Sequence, residues 1–295
     1  MKTRSTWQPD KPLLWMLSFV IVFLPILLAS TLSYYVTALL SEASVSDLFS
    51  LHGWNPARGN ISFLPFIFGT LLVTVIALFL AFPLALSIVI FLSEYAKPKL
   101  KAIVRPFIDL IAGLPSVIFG LWGLSQVVPF IKYILAPLFN REVTGYCSLA
   151  AGIVLAFMVM PFLIQIMLEI FEALPPSLRE TGFILGANRW EVIKKILLPK
   201  ARPGIMAALV LAFARAFGET LAVMMVVGGI PQITVDPLEP VSTLPVLIAN
   251  NYGEMSSLAL YQRLLFTAAF LLLLIVAFFI LISRLILKRL KQGIE

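Results

Sequence analysis

Residues 61–93 read ISFLPFIFGTLLVTVIALFLAFPLALSIVIFLS and carry no charged side chain over 33 residues. An α-helix needs about 20 apolar residues to cross the hydrocarbon layer of a bilayer, so this stretch predicts a membrane-spanning helix. It is too long for one upright helix, which favours a tilted helix or one that begins at the membrane surface, with bends at Pro65 and Pro83. The chain is therefore expected to be an integral membrane protein.

Five further stretches are long and apolar enough to span the same layer. They cover residues 13–40, 109–132, 143–168, 203–230 and 264–283. The chain is 60% hydrophobic and 13% charged, with a mean hydropathy of +1.01, which excludes an ordinary soluble domain. The first stretch is longer than the apolar core of a signal peptide, about 7 to 15 residues, so we expect a retained span. The sequence predicts an all-α fold with six transmembrane helices.

Basic residues are distributed unevenly over the loops between these helices. Cytoplasmic loops accumulate Lys and Arg, and an inside N-terminus assigns 17 of the 22 basic residues to inside segments. These are Lys2, Arg4, Lys11, Lys97, Lys99, Lys101, Arg105, Arg179, Arg189, Lys194, Lys195, Lys200, Arg202, Arg284, Lys288, Arg289 and Lys291. The outside loops carry Arg58, Lys132, Arg141 and Arg263, and Arg215 lies within a span. Both termini are therefore expected to be cytoplasmic, and this topology explains the net charge of +7 without nucleic acid.

The composition also excludes several kinds of enzyme. A single cysteine, Cys147, allows no intrachain disulfide, and one histidine, His52, leaves too few soft ligands for a zinc or iron–sulfur site. None of the 16 glycines is followed directly by Lys, so the chain has no GxxxxGK[ST] phosphate-binding loop. We expect no catalytic residue, no metal and no cofactor, and any ATP hydrolysis must come from a separate protein.

The longest polar stretch on the predicted inside, residues 169–203, contains signals for two short helices. Ser177 and Glu180 have the spacing of a capping box that opens the first helix. The second is expected over residues 189–198, with separate apolar and basic faces, before Pro199 breaks it. Two interpretations remain open at this point: helices that rest on the bilayer, or a docking element for a cytosolic partner.

The spacing within this loop resembles the transmembrane permease subunits of ABC importers. Their loop follows Glu-Ala-Ala, three residues, Gly, nine residues, Ile, one residue and Leu-Pro. The matching positions here are Glu180, Thr181, Gly182, Gly186, Ile196, Leu198 and Pro199. Thr181-Gly182 departs from Ala-Ala, and a glycine within a helix costs about 1 kcal/mol relative to Ala, so we expect a less rigid first helix. The resemblance implies the type I ABC importer permease fold and a role of these residues in coupling to the ATPase subunit.

The fifth span is the one predicted span with charges near its middle, Arg215 and Glu219. Each charge at the bilayer centre costs about 2.5 to 3.5 kcal/mol, so both are expected to face the bundle interior or a wet cavity. Their i, i+4 spacing lets them meet on a helix. A stripe of small residues offset by about 100 degrees predicts close packing of a neighbouring helix, and its members are Gly204, Ala208, Ala212 and Ala216. The charged residues either neutralise each other or line a path for an oxyanion, for which Arg is suited by its planar fork of donors.

Three segments extend the resemblance to the permeases of phosphate importers, and to the PstC-type subunit more than to its PstA-type partner. They read IAGLPSVIFGLWG (111–123), LGANRWEVIKKILLP (185–199) and FARAFGETLAVMMVVGG (213–229). The resemblance ties Arg215 and Glu219 to phosphate passage. It also implies a multi-pass protein of the cytoplasmic (inner) membrane with three protein partners: an ABC ATPase, a second permease of the PstA type and an external phosphate-binding protein.

Other residues give weaker signals. The sequence around Gly113 and Pro115 predicts a kink in the third span, where Ser116 could face the substrate path. Asp109 is expected to form a structural ion pair with Arg105. Residues 244–252 predict a re-entrant or surface helix in the outer loop, and no role is assigned to His52, Trp54 or Cys147.

The predicted organisation has three parts. Residues 1–60 hold a cytoplasmic tail, the first helix and an external loop. Residues 61–288 form the importer transmembrane domain with the coupling loop 172–203, and residues 289–295 form a cytoplasmic tail. Two alternatives remain: a permease for sulfate, molybdate or another oxyanion, and an ion-coupled secondary carrier without an ATPase.

Overall fold

The computed structural model describes residues 11–51, 53–255 and 257–292. The expectations for His52 and for the basic residues Lys2 and Arg4 lie outside these residues, as does the end of the C-terminal tail. Within them the chain is mostly helical, in agreement with the predicted class.

Eleven helices and two short strands make up the described chain. The helices are α1 (Lys11–Leu40), α2 (Val45–Leu48), α3 (Leu64–Tyr95), α4 (Pro98–Ala112), α5 (Ser116–Leu138), α6 (Ser148–Glu172), α7 (Ser177–Ile184), α8 (Arg189–Phe217), α9 (Leu221–Met224), α10 (Leu244–Met255) and α11 (Ala259–Gln292). Six of them, α1, α3, α5, α6, α8 and α11, are long and apolar enough to cross a membrane. The prediction of six spans is confirmed.

A small hairpin caps one end of the bundle between α2 and α3. Its strands are β1 (Trp54–Asn55) and β2 (Asn60–Ile61), antiparallel, with one 3₁₀ turn (Pro56–Arg58) between them. The Trp54 ring lies 5.7 Å from that of Phe63 and 5.0 Å from that of Phe66, so it anchors the hairpin on the start of α3. This packing role of Trp54 was not predicted.

The core lies where α3, α6 and α8 pack against one another. Gly204, Ala208, Ala212 and Ala216 are all buried, which confirms the small-residue stripe of the fifth span. A Cβ atom at Gly204 would lie 2.9 Å from Ile170 on α6, so the absence of a side chain allows the two helices to approach.

The helix that contains the third span is broken rather than kinked. Helix α4 ends at Ala112 and α5 begins at Ser116. Pro115 has no backbone N–H and disfavours helical dihedrals at Leu114, which favours a helix break at this point. Asp109 therefore lies on α4, which precedes the span.

The fifth span differs from its prediction at both ends. The helix that contains it, α8, begins at Arg189 and ends at Phe217, so Pro199 does not break this helix and residues 218–230 lie beyond it. A π turn over Ile193–Leu197 precedes Pro199, and the N–H of Leu198 donates to the carbonyl five residues back, at Ile193. This wider turn accommodates the proline ring, whose usual clash is with the carbonyl four residues earlier.

Helix α3 runs without interruption to a π turn over Phe91–Tyr95. Pro65 lies in its first turn, where the missing N–H has no intrahelical acceptor, so the bend predicted there is wrong. Pro83 lies inside the helix.

Candidate functional site

Arg215 lies in the last turn of α8 and points away from the core. Its neighbours Ala214 and Ala216 are buried, whereas Arg215 is exposed on the surface of this chain. The guanidinium carbon is 4.7 Å from the centre of the Phe162 ring on α6, which is within the range of a cation–π interaction. Among the described residues it forms no ion pair.

Glu219 does not meet Arg215, so the predicted i, i+4 contact is wrong. The helix ends at Phe217, and Glu219 belongs to the short segment between α8 and α9. Its Oε1 accepts a hydrogen bond of 3.4 Å from the backbone N–H of Ala222, in the first turn of α9. The two charges are therefore held separately, one by an aromatic ring and one by a helix start.

Tight packing holds this interruption in place. A Cβ atom at Gly120 of α5 would lie 2.6 Å from Met225 Sδ and 3.2 Å from the Cα of Ala222. A Cβ atom at Gly123 would lie 2.3 Å from Val154 of α6. Gly120 thus leaves room for α9 against α5, and Gly123 leaves room for α6.

Ser116 is the first residue of α5 and is half-buried. It follows the break after α4, as expected for a residue near freed backbone groups. Among the described side-chain hydrogen bonds, none joins Ser116 to Arg215 or Glu219. The structure therefore does not bring the three predicted path residues into direct contact.

A polar face continues along α6 from the Arg215 contact. Phe162 is followed on the same face by Gln165, Glu169 and Glu172, at helical spacings of three and four residues. Together with α4, the three polar residues Gln165, Glu169 and Glu172 line a cavity of about 220 Å³. Polar side chains in a membrane segment are expensive unless they face protein or water, so this face is suited to a path or a protein partner.

Asp109 and Arg105 line the same cavity but do not pair with each other. Gln165 Nε2 donates to Asp109 Oδ1 at 2.7 Å, and Arg105 forms an ion pair with Glu172. The predicted pair of Asp109 with Arg105 is therefore wrong. Both residues instead join α4 to α6.

The coupling loop folds as two helices joined by a tight turn at Gly186. The first helix, α7, begins at Ser177, so Ser177 is inside the helix and the capping box predicted there is wrong. A capping box exists one helix later: the Asn188 side chain accepts from Glu191 N at 2.9 Å, and Glu191 accepts from Asn188 N at 3.0 Å. The Lys195 ammonium also donates to Glu191 Oε1 at 3.0 Å.

Gly186 adopts the left-handed conformation, with φ of +83°. Its N–H donates to the carbonyl of Phe183, and the N–H of Ala187 donates to the carbonyl of Gly182. This pair of hydrogen bonds is the Schellman motif, which closes the C-terminal end of a helix and favours glycine. The sequence predicted the turn but not its geometry.

Gly182 packs closely against the start of α8. A Cβ atom at this position would lie 2.8 Å from Val192 and 2.9 Å from Ile196. The glycine that replaces alanine in the Glu-Ala-Ala motif thus sits at the closest point between the two helices. Ile196 therefore contributes to the internal packing of the loop.

The tip of the loop exposes apolar side chains. Ile184 and Leu185 are 84% and 78% exposed, and Phe183 and Trp190 are about half exposed. An apolar patch outside the membrane-spanning helices is typical of a protein contact. The sequence-based prediction did not include Phe183, Ile184 and Leu185. Three apolar residues directly before the turn glycine are nevertheless a visible signal in the sequence.

The opposite end of the bundle is closed by the long loop before α11. Helix α10 (Leu244–Met255) confirms the helix predicted there, and its first N–H, at Leu244, binds Thr70 Oγ1 of α3 at 3.0 Å. Arg141 pairs with Asp236 across this end, and the N–H of Leu238 together with Arg141 lowers the pKa of Asp236. A cavity of about 530 Å³ opens beside α9 and is lined by Thr144, Tyr146, Met224, Met225, Ile230 and Asn250, among others.

Comparison with known proteins defines the class. The chain belongs to the family described as binding-protein-dependent transport system inner membrane component, whose sequence model matches residues 86–295. Members are transmembrane permeases of ABC transporters and are not themselves enzymes, and the chain is a multi-pass inner-membrane protein. The orientation of its termini stays a prediction.

Individual relatives identify the type of permease within this family. The phosphate transport system permease protein PstC of Xylella fastidiosa is 33% identical over an alignment of 298 positions. This alignment covers 92% of this chain and 91% of the relative. The probable ABC transporter permease protein YqgH of Bacillus subtilis is 37% identical over 255 residues, with 86% and 81% covered. The resemblance to PstC-type permeases is confirmed.

Solved structures agree on the fold. The MetNI methionine ABC transporter in an inward-facing conformation matches with a TM-score of 0.58 at 21% identity, over 75% of this chain and 93% of that chain. An amino acid ABC transporter matches with a TM-score of 0.51 at 16% identity, over 77% and 93%. The predicted importer permease fold is confirmed.

Proposed function

We propose that this chain is the permease subunit of an ATP-driven importer that translocates inorganic phosphate across the cytoplasmic membrane. The observation that carries the proposal is the Arg215 guanidinium, which lies at the end of a membrane-spanning helix and has no carboxylate partner among the described residues. The PstC proteins among its relatives support phosphate as the substrate. Three partners complete the importer: an ABC ATPase, a PstA-like second permease and an external phosphate-binding protein.

Arg215 attracts and orients the anion. A guanidinium donates two parallel hydrogen bonds to an oxyanion, and phosphate offers several oxygens in suitable geometry. The Phe162 ring fixes the side chain while leaving its N–H groups free for a substrate. An anion is then bound by one cation, which is weak enough for the anion to leave again.

Glu219 and Ser116 complete the path in this proposal. Glu219 lies four residues beyond Arg215 in the sequence, and it opposes the positive charge without neutralising it by direct contact. Ser116 contributes a hydroxyl at the start of α5. The separation of the two charges favours a path over a closed structural ion pair.

The partner permease covers the face that carries Arg215. Four charged residues are exposed on the isolated chain, and membrane lipid would not solvate their charges. They are Asp109, Glu169, Glu172 and Arg215. A second subunit that packs over this face leaves a polar path between the two. Lipid then contacts the apolar faces of the bundle.

The coupling loop receives the ATPase. This element is built by seven residues on α7, its turn and the first part of α8: Glu180, Thr181, Gly182, Gly186, Ile196, Leu198 and Pro199. Its exposed tip at Ile184 and Leu185 offers an apolar surface for a cleft on the partner. ATP-driven movement of the partner is transmitted to the permease through this loop.

Uptake of labelled phosphate by the complete transporter, with excess sulfate or molybdate as competitor, tests the proposal. We expect Arg215→Gln to reduce uptake at least about 100-fold, because it removes the charge and the bidentate donors. Arg202→Gln is the matched control, since Arg202 is an exposed arginine on the same helix. Normal uptake by Arg215→Gln would remove the role of this residue, and wild-type uptake blocked by sulfate or molybdate would reassign the substrate.

A further inference from the structure

Arg179, the third residue of α7, is the most firmly held basic side chain of the coupling loop. Its Nη2 donates to Glu94 Oε1 at 2.8 Å, and its Nε lies 3.1 and 3.2 Å from the two Glu94 oxygens. The same guanidinium donates to the backbone carbonyls of Phe171, at 3.1 Å, and Leu174, at 3.3 Å. One side chain thus joins α7 to the end of α3 and to the end of α6.

This ion pair is shielded from solvent. The Glu94 side chain is 9% exposed and the Arg179 side chain 24%. By contrast, the Lys195 to Glu191 pair on the same loop has a lysine that is 69% exposed. Exposed pairs contribute little, whereas a shielded, forked pair with additional carbonyl acceptors holds its partners in one geometry.

Glu94 lies in the π turn Phe91–Tyr95, on which two further basic side chains converge. Lys101 of α4 donates its Nζ to the carbonyl of Ser93 at 3.1 Å. The guanidinium of Arg189, the first residue of α8, lies 5.4 Å from the centre of the Tyr95 ring. Three elements therefore contact three of the five residues of this turn, at the end of one membrane-spanning helix, and π turns often occur at functional positions.

The position of this turn suits it to transmit motion. Helix α7 carries the exposed apolar tip at its far end, and Arg179 lies near its start. Beyond the π turn, α3 continues through the membrane and packs along α6 and α8. A displacement of α7 is thus passed to helices that form the core of the bundle.

We propose that Arg179 is a positioning residue for energy coupling, which fixes the coupling loop to the π turn Phe91–Tyr95 so that α3 and α6 follow the movement of α7. This inference rests on the proposed function, since it requires an ATPase bound at α7. It identifies α3 as the membrane helix that receives this movement through side-chain contacts.

The experiment compares Arg179→Met, Arg179→Lys and Glu94→Gln in the complete transporter reconstituted in lipid vesicles. Copurification of the ATPase, basal ATP hydrolysis, hydrolysis stimulated by the phosphate-loaded binding protein and phosphate uptake are all measured. We expect assembly and basal hydrolysis within about twofold of wild type, but phosphate uptake per ATP at least about tenfold lower in Arg179→Met and Glu94→Gln. Arg179→Lys keeps the charge and loses the fork, so we expect an intermediate value.

The matched control is Lys195→Met, which removes the exposed ion pair of the same loop and should leave all four measurements unchanged. Wild-type uptake per ATP in Arg179→Met and Glu94→Gln would overturn the proposal. Loss of assembly in all three variants would overturn it as well, because the pair would then serve folding alone. If the wild-type complex does not transport phosphate but its ATP hydrolysis is stimulated by the binding protein, the proposed substrate is contradicted. The effect of the Arg179 variants on this stimulated hydrolysis would still test the coupling role of Arg179.

Discussion

Arg215 and Glu219 are four residues apart, yet each is held by a different part of the structure. Arg215 lies against the Phe162 ring, whereas Glu219 accepts from the N–H of Ala222 at the start of α9. In the proposed path, this separation leaves both charges free to act on a passing anion. If Glu219 limits how strongly Arg215 holds phosphate, removal of its charge must tighten binding and slow release.

Glu219→Gln tests this directly, because glutamine keeps an oxygen acceptor for the Ala222 N–H and removes only the charge. We expect the phosphate concentration for half-maximal uptake to fall and the maximal rate to fall several-fold, as for a substrate held too tightly. Glu142→Gln, at an exposed position in the loop between α5 and α6, is the control. A change in neither parameter would show that Glu219 only starts α9.

At the scale of single residues, the sequence predicted which residues are unusual but not which residues they contact. The position of Arg215, a basic residue near the middle of a predicted span, was visible from charge alone. The Phe162 contact was not, because Phe162 lies 53 positions away in the chain and only the packing of α8 on α6 brings it near. Asp109 was likewise assigned to its sequence neighbour Arg105, although its partner, Gln165, comes from another helix.

Among elements, Pro199 explains the error at the start of α8, and two further prolines of α5 stand in the same arrangement. Pro129, Pro137 and Pro199 each follow a π turn by two residues, and the helix continues through all three. In each case the carbonyl four residues before the proline lies inside the wider turn, so its clash with the ring is relieved. Sequence rules treat proline as a helix stop because they have no signal for a π turn.

The turn at Gly186 carries a prediction at the same scale. Gly186→Pro would fix φ near −65° where the chain needs +83°, and it would remove the N–H that donates to Phe183. We expect loss of ATPase copurification and of stimulated hydrolysis, because both helices of the loop would be reoriented. Gly186→Ala meets no steric contact and should cost only about 1 kcal/mol of local stability.

Gly253→Ala on α10 is the matched control for these variants. It adds the same methyl group at an open position with ordinary helical dihedrals, so no change is expected. Unchanged stimulated hydrolysis in Gly186→Pro would show that the turn does not set the geometry of the docking surface.

At the scale of the whole molecule, six apolar spans and an importer fold were predictable because hydropathy is read over about 20 residues and tolerates errors at the ends. The uncovered polar face was not predictable, since it requires α4, α6 and α8 to be placed together. The direction of the chain through the membrane follows from the uneven distribution of Lys and Arg, and it has its own test.

Cysteine labelling measures this direction, and the buried native thiol of Cys147 keeps the background labelling low. The one native thiol, Cys147, is fully buried, and burial raises its pKa, so little thiolate is available to a membrane-impermeant maleimide. Leu185→Cys, at the tip of the coupling loop, and Val235→Cys, in the opposite loop, introduce thiols at sites that are 78% and 79% exposed. With both termini inside, Leu185→Cys should be labelled only in inside-out vesicles and Val235→Cys only in right-side-out vesicles. The reverse pattern would place the coupling loop outside, where no ATPase could reach it, and the proposed importer would have to be abandoned.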